Sequence, residues 1–88
     1  MKVKKGIVLT SLGNHFVAVP TKGNEDLKNV IRLNETGAMI WRGLEEGLSQ
    51  DQIAEKIVKE YTKVDKERAL QGVHKVIKKL EEAGFLEE

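Results

Sequence analysis

The sequence contains no cysteine and a single proline. The first absence removes disulfides, thiolate metal sites, iron–sulfur ligation and cysteine nucleophiles together, and it suits a reducing compartment. No apolar run exceeds four residues, as at Ala38–Trp41, whereas a membrane-crossing helix needs about 20. The basic start Met1-Lys2-Val3-Lys4-Lys5 is followed by no long apolar stretch of the kind a signal peptide carries. Neither charge is in surplus: 15 basic and 14 acidic residues leave a formal charge of +1. A dedicated nucleic-acid binder concentrates basic residues on one face, but here the two signs are interspersed. The expectation is a cytoplasmic protein that touches neither membrane nor nucleic acid.

What is present is an ordinary globular composition, 40% hydrophobic and 33% charged. A chain of 88 residues buries about 60–65% of its unfolded surface, enough for one modest core and too little for a deep, walled active site. One domain over residues 1–88 is expected. Its first third has strand character. Ile7-Val8-Leu9-Thr10 and His15-Phe16-Val17-Ala18-Val19 are rich in β-branched and aromatic residues. Ser11-Leu12-Gly13-Asn14 between them reads as a four-residue hairpin loop, with glycine and asparagine supplying positive φ. Pro20 stops the second strand because it has no N–H to give a ladder. A polar loop over residues 21–29 follows. Val30-Ile31-Arg32-Leu33 then reads as a third strand, with Ile31 and Leu33 on one face and Val30 and Arg32 on the other. The expected strands are about 6–10, 15–20 and 30–33, in an antiparallel meander.

From residue 34 the period changes from two to about 3.6. Asn34 is a good N-cap, and Ala38, Trp41, Leu44 and Leu48 follow at helical spacing up to Gly47 and just beyond. Ser49-Gln50-Asp51-Gln52 is a capping-box pattern ahead of Ile53, Ile57, Val58 and Tyr61. Asp65 can cap a third helix whose stripe is Leu70, Val73, Val76, Ile77 and Leu80, with Gly84 closing it and Phe85-Leu86 able to fold back on the core. The expected helices are about 35–46, 50–62 and 66–83. Three strands followed by three helices is an α+β pattern.

Catalytic constellations are missing. His15 and His74 have no ligand at i+3 or i+4 to complete a metal motif. The pairs Glu45-Glu46, Glu81-Glu82 and Glu87-Glu88 sit in hydrophilic sequence and read as solvated faces. The glycines form neither a phosphate loop nor a dinucleotide fingerprint. No enzymatic activity, metal or cofactor is expected. Three helices with a small sheet do resemble a winged helix, and Lys66, Arg68, Lys75, Lys78 and Lys79 lie on its third helix. A winged-helix regulator binding DNA is therefore the alternative reading. Asp65, Glu67, Glu81 and Glu82 on the same helix argue against it, because phosphate contacts supply much of the affinity for nucleic acid. Salt separates the two, since strand addition responds to it mildly.

The third strand lies at an edge of a 1-2-3 meander, guarded only by Arg32, and its backbone groups are unpaired. Such an edge beside an amphipathic helix accepts an extended peptide as an added strand. A covering loop or a dimer contact explains the same edge equally well, so a homodimer stays open.

The stretch Val30-Ile31-Arg32-Leu33-Asn34-Glu35-Thr36-Gly37-Ala38-Met39-Ile40-Trp41 closely resembles the signature of the pyrroloquinoline quinone synthesis protein D (PqqD) family. Further matches follow in order: Gly47-Leu48-Ser49 before Ile53-Ala54, Tyr61 and Val64-Asp65 before the third helix, and Leu80-Glu81-Glu82-Ala83-Gly84-Phe85-Leu86 at the end. The resemblance covers nearly the whole chain. It implies a winged-helix-like fold of three strands and three helices without catalysis of its own. It implies a recognition element for ribosomally synthesised, post-translationally modified peptides (RiPPs), acting as a peptide chaperone. The partners it implies are the leader of a precursor peptide and a modifying enzyme, commonly a radical S-adenosylmethionine (radical SAM) enzyme. Under this resemblance Asn34, Gly37 and Trp41 are cap and core. The groove is expected along the strand backbone at Val30, Ile31, Arg32 and Leu33 and on the helix flank of Ala69, Gly72, Val73, Val76 and Lys79. Small residues at 69 and 72 would leave room for a strand, and Arg32 with Lys79 would pair with acidic leader side chains.

Overall fold

The computed structural model describes residues 2–21 and 30–87. The polar loop expected over 21–29 lies outside the described residues apart from Thr21. Five strands and three helices follow in the order β1 (Lys2–Val3), β2 (Ile7–Leu12), β3 (His15–Pro20), β4 (Ile31–Leu33), α1 (Glu35–Glu45), α2 (Gln50–Glu60), α3 (Lys66–Glu82) and β5 (Leu86–Glu87). The three-stranded antiparallel sheet β2-β3-β4 and the helices behind it make an α+β fold. It is compatible with the winged-helix-like expectation.

The hairpin is tighter than its sequence suggests. Leu12 pairs with His15, so the turn is the two residues Gly13-Asn14 rather than a four-residue loop. Of these two residues Gly13 takes positive φ, at 75°, and Asn14 does not, the first-position geometry of a type II′ turn that suits the twist of its strands. In β4 the alternation holds: Ile31 and Leu33 are buried and Arg32 is exposed. Val30 stands just outside the strand and is 59% exposed.

All three helix starts follow from local chemistry. The Asn34 side chain accepts from Gly37 N–H at 2.8 Å and the Asp65 side chain from Arg68 N–H at 2.8 Å. Ser49 and Gln52 form a reciprocal capping box. These caps satisfy donors that the first helical turn leaves unpaired. One buried face from each helix then joins a common core: Ala38, Trp41 and Leu44 from α1, Ile53 and Ile57 from α2, Val73, Ile77 and Leu80 from α3. Trp41 is fully buried and stands edge-on to Phe85, with ring centroids 6.4 Å apart.

Phe85 also explains two short strands that periodicity does not reveal. Gly84 turns the chain out of α3 at φ 77°, and Phe85 N–H donates back to the Leu80 carbonyl at 2.9 Å. Phe85 is thereby driven into the core, and β5 pairs antiparallel with β1. The two ends of the described chain are thus joined beside the main sheet. Among the described residues no helix is long and apolar enough to cross a membrane.

Candidate functional site

Among the described residues strand β4 is an edge of the main sheet, paired with β3 through Phe16–Leu33, Val17–Arg32 and Ala18–Ile31. Its other side opens on a groove of about 290 Å³ lined by Arg32, Leu33, Asn34, Gly37, Lys75, Val76 and Lys79. Strand β4 forms one side and α3 the other, with the first turn of α1 between them. The connection that places them is short. Asn34 alone separates β4 from α1, so the helix must start directly under the strand edge.

Gly37 makes that approach possible. A Cβ on it would stand 3.0 Å from Leu33 Cβ and 3.3 Å from Asn34 Oδ1, so any side chain there would push against both. Across the groove, the Lys79 ammonium donates to the Arg32 carbonyl at 3.5 Å. That carbonyl therefore turns away from β3 toward the open edge. In an antiparallel strand the N–H and C=O of one residue point the same way, so Arg32 N–H faces the edge as well.

The residues expected in the groove divide by burial. Arg32, Leu33, Val76 and Lys79 line it, and Val30 lies exposed at the start of β4. Ile31 faces the core at 5% exposure. Gly72 shares the flank of Val76 one turn earlier, half-buried, with nothing within 4 Å of where its Cβ would stand. Ala69 and Val73 are placed differently from the expectation: they are 3% and 0% exposed and belong to the core. The reason is rotational. Ala69, Val73, Ile77 and Leu80 fall on one stripe at about 100° per residue, and the groove flank of Gly72, Lys75, Val76 and Lys79 is turned away from it.

Lys75 is the groove residue that the sequence reading passed over. It precedes Lys79 by four residues and shares its flank, which is the signal that could have found it. Asn34 and Gly37 also line the groove, in addition to their cap and packing roles. Neither histidine is there: His15 is half-buried in β3 and His74 is exposed on another side of α3. Among the described residues no group of three or more His, Cys, Asp or Glu could hold a metal ion.

The family model for coenzyme PQQ synthesis protein D (PqqD) matches residues 8–86. The chain belongs to this family. Among curated proteins none matches it. Among solved structures, "TbiB1 in Complex with the TbiA(beta) Leader Peptide" superposes with a TM-score of 0.78 at 24% identity, covering 99% of this chain and 95% of that one. At that identity the likeness establishes a shared fold.

Proposed function

We propose that this protein is a RiPP recognition element: it captures the leader of a ribosomally made precursor peptide as an added strand on β4, beside α3, and presents it to a modifying enzyme. The observation that carries the reading is the open β4 edge facing a groove with an apolar floor at Leu33, Gly37 and Val76. Strand addition uses main-chain hydrogen bonds for affinity and side-chain pockets for selectivity. Both are available here, the first at Arg32 N–H and C=O and the second between Leu33 and Val76. Membership of the PqqD family supports a role in peptide modification. The solved neighbour TbiB1 is bound to a leader peptide, which favours the same role for a chain of the same fold.

The role is one of binding, and no covalent step is assigned to the chain. Its expected enzyme partner is of the radical SAM class, which would act on the part of the precursor beyond the captured leader. Titrating isotope-labelled protein with the leader encoded beside its gene tests the proposal. Saturable amide shifts clustered on residues 30–34 and 72–79 are expected. Shifts absent from those segments, with the protein folded, would remove the proposal.

A further inference from the structure

The groove carries charge of one sign. Lys75 and Lys79 line it together with Arg32, whose carbonyl faces it, and among the described residues no carboxylate does. Across the whole chain the signs nearly balance, with 15 basic and 14 acidic residues. Where carboxylates are near, exposed lysines pair with them: Lys56 with Glu46 at 3.3 Å and Lys66 with Glu55 at 3.6 Å. Neither groove lysine makes an ion pair with another described residue. Lys75 and Lys79 also stand at i, i+4 on one helix, a spacing at which like charges repel. A ligand bearing carboxylates would relieve that repulsion.

We infer that the groove selects an acidic extended segment, with an apolar side chain on the Leu33–Gly37–Val76 floor and a carboxylate on the same face held by Lys75 and Lys79. This rests on the peptide-capture reading above and adds the chemistry of what is captured. One helical turn separates the two lysines by about 6 Å along α3. Side chains two apart on one face of a strand stand about 7 Å apart. An acid two residues from the apolar anchor therefore falls beside the lysines. An acid next to the anchor points to the opposite face, where the Arg32 side chain stands. Lys79 has a further part in capture. Its ammonium rests on the Arg32 carbonyl, the acceptor that an arriving strand takes for its own N–H. Displaced from there, the ammonium is free to meet the carboxylate.

The test uses three synthetic ten-residue peptides that alternate leucine and threonine around a central leucine. They carry Glu, Gln or Lys at the two positions that lie two residues from that leucine. Fluorescence polarisation at low salt should rank them Glu, Gln, Lys, with Glu roughly threefold to tenfold tighter than Gln. The gap should close as salt is raised. The double variant Lys75→Glu, Lys79→Glu should invert the ranking while keeping its melting transition. Equal binding of the Glu and Gln peptides would overturn acid selection and leave strand capture standing. Binding of none of the three by folded protein would overturn both. A ten-nucleotide single strand that bound more tightly than the Glu peptide would overturn the peptide ligand in favour of nucleic acid.

Discussion

Two glycines show how the same substitution takes opposite signs in one small protein. A Cβ on Gly43 would lie 2.6 Å from Ile53 Cγ1, where α1 and α2 touch. Overpacking of this kind costs about 1–3 kcal/mol, and each kcal/mol lowers the melting temperature of a domain this size by roughly 4–8 °C. Gly43→Ala is therefore expected to melt well below the parent. A Cβ on Gly72 would meet nothing within 4 Å, in mid-helix. Gly72→Ala should stabilise by about 0.4–1 kcal/mol, because the change removes freedom from the unfolded chain. Paired thermal melts check both. Trp41 illustrates a third kind of residue. Its indole N–H is buried with no partner among the described residues, so it contributes apolar volume rather than a hydrogen bond.

At the scale of elements, the β4 edge and the C-terminal return matter most. Arg32 N–H faces the open edge, so a proline there removes a donor that β3 does not use. Proline is tolerated at edge strands in that orientation. Arg32→Pro is expected to keep the fold and lose leader binding by at least about tenfold, since a single main-chain hydrogen bond and its neighbours go with it. Arg32→Ala retains the backbone bond and should weaken binding less. Calorimetric titration of the two variants separates backbone from side chain, and equal losses would contradict strand addition. At the other end, Phe85 is fully buried against Trp41 and holds β5 against β1. Phe85→Ala should cost about 3–5 kcal/mol and free both ends of the described chain, measurable by denaturant unfolding and by amide exchange at Val3 and Leu86.

For the whole molecule, near-neutral charge coexists with a cationic groove, and the consequence is a salt response of intermediate size. A protein neutralising 6–10 phosphates loses about 10³–10⁵ in affinity between 50 and 200 mM salt. Leader capture through main-chain bonds, an apolar floor and a few lysines should lose no more than about tenfold over that range. The same titration repeated at the two salt concentrations decides between a peptide ligand and the DNA-binding alternative.

The division between sequence and tertiary structure follows from the range of the interactions involved. Helix starts at Asn34, Ser49 and Asp65 were legible because each cap closes within three residues. The inward face of Ile31 and Leu33 was legible because strand period depends on nothing beyond the strand. The family signature around Leu33–Trp41 was legible for a related reason: it packs a strand, a cap and a close helical approach into one contiguous stretch. What long-range packing decided lay out of reach. The stripe of α3 shows that Val73, Ile77 and Leu80 turn inward, but which flank of it, here Lys75, Val76 and Lys79, meets the β4 edge is set by what α3 packs against. Pairing of β1 with β5 joins residues more than 80 positions apart, and strands of two residues carry no periodicity to read. The groove itself is the clearest case, since Arg32 and Lys79 are 47 positions apart in the chain. Only the folded chain brings that carbonyl and that ammonium to one edge.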